Sequence, residues 1–443
     1  MQQCFRYISL IFCCCLLLTA CSTDHEATAG SSPAERQPVA FSAGMTENDE
    51  GITRAANEIN EDGNGLDGNP TALKTVYEGK GFGVFGCYTG LHSYSESNVH
   101  PDFMYNEHVK YDAASPHQWS YSPVKYWPNG EGEAKGLTGE NPHFVSFMAY
   151  GPWRDETNMN PNAETAPVEY CISSFSKQGE LGNPWLVYRL NPNREKQVDL
   201  LCASPKLDQT KPAVATPVHF VFRHALACAG DKIGVVCSDG LKGQIKGRVN
   251  AAVRAARVVV TSLKIEYTLT SKARLVLWFV ENETNDAPMN WQTILSEAPQ
   301  TKRTVTVLTT DNDIADRVVH TYDGTQAAPA SESDPDNRII DHPYEKTGLG
   351  VYYIPTELEG YAQTAKVSIV YHVETSNTGT EPWKKEDDIA GTGILTLKDY
   401  NTAYQSGKHL YINITLSPMD IALTAAIALW VPEEPKEMEG IEE

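Results

Sequence analysis

The sequence predicts an all-β mature chain. Three observations lead there: short runs carry apolar residues at every second position, those runs are bounded by Gly, Pro, Asn and Asp, and long amphipathic helices are hard to find. Composition agrees, with 32 Gly, 26 Pro and 21 Tyr in 443 residues. That length exceeds one ordinary core and suits two domains of roughly 150–200 residues. The pattern favours β-sandwiches.

The chain opens on a targeting segment. Arg6 supplies a positive start, and the apolar run from Ile8 to Leu18 is broken only by Ser9. It is too short to span a hydrocarbon core of roughly 30 Å and has the proportions of a signal peptide. Leu18-Thr19-Ala20-Cys21 matches a bacterial lipobox, which predicts cleavage between Ala20 and Cys21 and a lipid on the Cys21 sulfur. Acyl chains contribute about 0.8 kcal/mol per buried CH₂, so several chains make a stable anchor. Residues 1–20 are thus the expected signal peptide and 21–37 a small, polar tether. Asp24 and Glu26 behind the lipidated cysteine resemble the surface-export signals of Bacteroidia lipoproteins.

Strands follow. Val39-Ala40-Phe41-Ser42-Ala43 alternates and predicts a first strand, and the polar stretch 44–72 predicts an exposed loop. Within that loop, Arg54 stands among small residues in Ile52-Thr53-Arg54-Ala55, a natural site for a trypsin-like protease. Further strands are expected at 81–88, 119–122, 144–150, 218–222, 258–269, 351–354 and 366–373. In the strand at 258–269, Leu263, Ile265 and Tyr267 share one face and Lys264 and Glu266 the other. Asn250 to Arg257 is the best helical candidate. Near the end, Leu410, Ile412, Ile414 and Leu416 alternate, a turn forms at Ser417-Pro418-Met419-Asp420, and Ile421, Leu423, Ala425, Ile427, Leu429 and Val431 alternate again. This predicts a hairpin with one buried face. Residues 433–443 hold six Glu and read as a solvated tail.

Composition and motifs exclude several functions. A net charge of −21 argues against nucleic acid, because a polyanion releases no counterions from phosphates. Five of the ten cysteines lie in the first 21 residues; Cys87, Cys171, Cys202, Cys228 and Cys237 remain, without zinc-like spacing, and are expected as buried thiols. Gly81-x-Gly83-x-x-Gly86 fits a dinucleotide fingerprint in letters, but no βαβ unit surrounds it, so close glycine–aromatic packing is the expected role. The run from Asn60 to Thr71 resembles a calcium loop yet lacks its first Asp and its final Glu. No H-E-x-x-H or G-x-S-x-G occurs, so neither a metal, a cofactor nor catalytic residues are expected. His224 beside an apolar strand reads as a satisfied boundary residue.

Seven segments in order then carry a family pattern: Val39 to Phe41, Thr53-Arg54-Ala55, Trp119 to Pro128, Phe147 to Pro152, Phe222 to Ala227, Gly407-Lys408-His409-Leu410-Tyr411, and Ile421 to Trp430. Together with the lipobox they resemble the fimbrillins (type V pilins) of Bacteroidia. The resemblance covers nearly the whole chain except 270–345. It implies two consecutive transthyretin-like β-sandwich domains, at 38–212 and 213–432. It implies a non-enzymatic pilus subunit of the outer membrane surface, whose partners are other pilin subunits, the membrane holding its lipid, and a trypsin-like protease. Cleavage between Arg54 and Ala55 would release a first strand, 38–54, containing Val39, Phe41 and Ala43. A neighbour's C-terminal strand would then fill the groove, and the candidate donor here is Ile421 to Val431.

Two questions stay open at this level. Only an acidic tail follows residue 431, so the last strand either completes its own sandwich, making a tip or minor subunit that accepts a strand and gives none, or is itself donated. The alternative function is a surface glycan-binding lipoprotein, for which Trp119, Tyr121, Tyr126 and Trp127 would form a stacking platform.

Overall fold

The computed structural model describes residues 36–45, 81–95, 99–111, 119–128, 143–156, 171–191, 194, 197–279, 289–294, 300–308, 317–331, 333–356, 360–401, 405–418 and 421–429. Ala20, Cys21, Arg54, Ala55, Val431, the expected loop beyond residue 45, the calcium-like run and the acidic tail lie outside them.

The first half of the described chain runs β1 (Phe41–Met45), β2 (Phe82–Gly90), β3 (Met104–Tyr111), β4 (Trp119–Ser120), β5 (Phe144–Gly151), β6 (Ile172–Phe175), β7 (Trp185–Arg189), β8 (Leu201–Ala203), β9 (Lys206–Gln209) and β10 (Val218–His224). Next come β11 (Ala227–Cys237), helix α1 (Asp239–Arg248), β12 (Ala255–Thr270), β13 (Lys272–Val276), β14 (Asn290–Thr293), β15 (Gln300–Leu308) and β16 (Val318–Asp323). The rest is β17 (Ile339–Asp341), β18 (Tyr344–Thr347), β19 (Val351–Tyr353), β20 (Thr364–Ser376), β21 (Lys384–Lys385), β22 (Ile389–Thr396), helix α2 (Leu397–Tyr400), β23 (Lys408–Leu416) and β24 (Ile421–Leu429). The all-β expectation is met.

Four sheets form. The first has the order β1-β10-β8-β5-β2-β3-β4, with β9 on β5; the second is β14-β13-β7-β6. The third is β18-β11-β23-β24 with β19 on β11, and the fourth is β17-β16-β12-β20-β21 with β15 on β12 and β22 on β20. The first and second sheets pack face to face through Phe85, Tyr150 and Phe175, with ring centroids 5.2–6.2 Å apart. Tyr267 on the fourth sheet reaches the Ala229 carbonyl on the third.

The expected division between residues 212 and 213 is not where the sheets divide. β10 lies beyond it, yet it pairs with β1 and β8 in the first sheet. β12 belongs to the fourth sheet, but one residue later β13 pairs with β7 in the second. Alternation within a strand reports which face is buried and not which sheet receives it, so this interleaving left no local mark.

The helical candidate at Asn250–Arg257 is likewise corrected: residues 250–254 are loop, 255–257 open β12, and the helix of this region is α1 just before them. The Ser238 side chain caps α1 by accepting from the Leu241 amide at 3.2 Å. Three glycines in α1 (Gly240, Gly243 and Gly247) dilute its helical signal. Within β2 the glycine run does what close packing requires. A Cβ on Gly83 would lie 2.3 Å from the Tyr150 ring, and Gly81 adopts φ +57° with the Val109 carbonyl where a side chain would be.

Candidate functional site

The first strand is held in a slot. β1 is the edge strand of its sheet and runs parallel to β10, with Phe41 opposite Val218 and Ala43 opposite Phe220. Alternation from Val39 into β1 turns Val39, Phe41 and Ala43 inward, and all three are buried. The Phe41 ring packs against Phe147 and Phe220 at 5.6 Å each and against Tyr121 at 5.5 Å. Phe82, Phe222, Trp119 and Trp127 belong to the same cluster, which is separate from the larger core.

The other side of the strand is clasped by the segment 121–127. The Val39 amide donates to the Lys125 carbonyl (2.9 Å), and the Trp127 amide donates to the Gln37 carbonyl (3.0 Å). The Tyr121 hydroxyl donates to the Val39 carbonyl (2.8 Å). On the sheet side, the Val218 amide donates to the Ala40 carbonyl (2.8 Å), and Ser42 bonds the His219 ring (2.9 Å). Burial pushes the Tyr121 hydroxyl above its ordinary range, so it stays a donor throughout the physiological pH range.

This geometry corrects the stacking-platform alternative. Trp119 and Trp127 are 6 % and 3 % exposed, so neither presents a face to a sugar. Only Tyr126 of the four is exposed. The aromatic segment is the roof over β1, because Pro-bounded chain at 121–128 crosses an apolar sheet face that needs cover.

The candidate donor strand β24 is also an edge strand. It pairs antiparallel with β23 over nine positions, Leu416 with Ile421 through Lys408 with Leu429. The expected hairpin is present, but its buried face is incomplete on β24. Ile421 is 8 % exposed, Leu423 and Ala425 are half-buried, and Ile427 is 45 % exposed. Across the sandwich, Gly391 and Gly393 of β22 lie under Ile421 and Leu423.

Other expected residues fall where the sequence reading put them. His224 is bonded to Asp199 at 2.6 Å. Cys87, Cys171, Cys202, Cys228 and Cys237 are all buried, and burial pushes the Cys87 and Cys202 thiols up to about 12. Among the described residues no group of His, Cys, Asp and Glu is placed to hold a metal ion, and no helix is long and apolar enough to cross a membrane. Sequence reasoning missed that β10 forms the floor beside β1, and that Tyr121 clasps the strand. The alternation of Val218 to Phe222 was visible, but its pairing partner was not.

Over 373 residues the chain is 22 % identical to the fimbrium subunit Fim1C of Phocaeicola vulgatus, covering 81 % of this chain and 83 % of that one. The chain is fimbrillin-like. A fimbrial protein from Bacteroides vulgatus ATCC 8482, known as a crystal structure, aligns over 89 % of this fimbrillin-like chain and all of its own, with 17 % identity and a TM-score of 0.49. No family model matches.

Proposed function

We propose that this protein is a structural subunit of a type V pilus, assembled by protease-triggered donor-strand exchange and contributing to cell adhesion. The observation that carries the reading is the state of β1: an edge strand with three buried apolar side chains, held between β10 and the 121–127 segment. To leave, the strand gives up its ladder with β10 and the few bonds that 37–39 make to the 121–127 segment, and its departure exposes an apolar groove that another alternating strand can fill. Cleavage between Arg54 and Ala55 would free 38–54 from the rest of the chain. Cys21, once lipidated after removal of residues 1–20, would tether the precursor to the outer membrane until then.

Trypsin treatment of the mature protein tests this. The expected product begins at Ala55, loses the N-terminal peptide that carries 38–54, and forms filaments as that peptide dissociates. A protein that is cut at Arg54 but keeps its first strand and stays monomeric under assembly conditions would overturn the mechanism.

A further inference from the structure

The two edge strands have the same side-chain pattern. Val39-Ala40-Phe41-Ser42-Ala43-Gly44-Met45 and Ile421-Ala422-Leu423-Thr424-Ala425-Ala426-Ile427 align without a gap over seven positions. Branched aliphatic faces branched aliphatic, Ala faces Ala, Phe faces Leu, Ser faces Thr, and Ala again faces Ala. From this we infer that residues 421–427 of a second copy of the chain replace residues 39–45 in the same direction and register. The inference rests on the strand-exchange reading above and specifies its partner: the subunit is complementary to itself.

The groove sets the requirements. β1 fills three successive sites with a medium, a large aromatic and a small side chain, since Val39, Phe41 and Ala43 are all buried. The middle site is walled by Tyr121, Phe147 and Phe220. Ile421, Leu423 and Ala425 meet these sizes in order. Between them, Thr424 keeps the hydroxyl that Ser42 presents to His219. Ala426 takes the place of Gly44, which is buried.

Other frames fit worse. Starting at Leu423 places Ala425 in the aromatic site, and starting at Ala425 places Leu429 in the methyl-sized one. Ile427-Ala428-Leu429 repeats the opening triplet, but it brings Trp430 to the Ser42 position and Val431 to that of Ala43. Overfilling a packed site forces side chains off their rotamers and shifts the backbone. Reversing the strand gives one rival, Leu429 down to Ala425, and antiparallel ladders are slightly the stronger kind. That rival sets β-branched Thr424 on buried Gly44 and offers His219 no hydroxyl.

Disulfide trapping decides among them. Full-length mature His219→Cys protein is trypsin-treated, mixed with a second copy carrying one cysteine on β24, assembled and oxidised. Uncleaved Ser42→Cys/His219→Cys protein, whose parent side chains touch, is the control showing that the site can be bridged. The expected result is an interchain bond with Thr424→Cys and at least tenfold less with Ala426→Cys or Trp430→Cys. A dominant bond to Ala426→Cys overturns the direction, and one to Trp430→Cys overturns the register. Filaments without any of these bonds overturn the inference while leaving strand exchange standing. Failure to form filaments at all removes both.

Discussion

The hydroxyl of Tyr121 donates to the carbonyl of Val39, joining the roof of the aromatic cluster to the strand beneath it at 2.8 Å. The same oxygen accepts from the Lys125 amide at 3.3 Å, so one phenol holds both the strand and its own loop. Tyr121→Phe keeps the ring against Phe41 and removes only the oxygen. A loss of about 1 kcal/mol is expected for the uncleaved protein in urea denaturation, together with faster release of residues 38–54 after cleavage. Unchanged release would mean that the clasp rests on packing alone.

Phe41 fills the centre of the groove. Phe41→Ala removes a fully buried ring and should cost the uncleaved protein about 3–5 kcal/mol, while Ser42→Ala beside it changes stability by less than about 1 kcal/mol. Equal effects from the two variants, measured by denaturant midpoint, would contradict the inward alternation of β1.

At the other edge strand, glycine sets the spacing. A Cβ on Gly391 would lie 2.5 Å from Ile421 Cγ2. Gly391→Ala should therefore push β24 outward and cost about 1–3 kcal/mol. Hydrogen exchange locates the effect: amides of 421–425 lose protection while those of β10 do not.

One buried histidine gives the protein a pH dependence. His320 is 1 % exposed, its Nδ1 is 2.7 Å from Asp341, and its Nε2 is buried without a hydrogen-bond partner. Burial lowers its pKa below the ordinary 6.5, outweighing the opposing pull of Asp341. The unfolded state therefore binds the proton more tightly. The stability this group contributes is fully present above about pH 6.5 and fades as pH falls toward the lower folded value. Urea midpoints at pH 7 and pH 5 should differ less in His320→Gln than in the parent, and an equal difference would assign the slope to other groups.

Much of this was legible before any coordinates. The inward faces of β1, β12 and β23 follow from alternation of Val39, Phe41 and Ala43, of Leu263, Ile265 and Tyr267, and of Leu410 to Leu416. Period-two patterning is a local property, and burial of one face imposes it directly. α1 was missed because its glycines mask the helical period while Ser238 supplies the cap. The fading burial along β24 was equally hidden: Ile421 and Ile427 are the same residue in the same pattern, and only the chain packed across from each differs.

By itself, then, the sequence determined the all-β class, the inward residues of the edge strands, the glycines that permit close approach in β2, and the family likeness. Tertiary structure alone decided that β1 lies parallel to β10, that β13 returns to the second sheet after a single residue, and that Trp119 and Trp127 roof a groove rather than face solvent. The reason is physical. A side chain's preference for one face acts within a few residues of itself, whereas strand pairing is chosen by contacts between segments as far apart in sequence as Phe41 and Val218, where many partners satisfy the same hydrogen bonds and only the shape of the assembled core selects one.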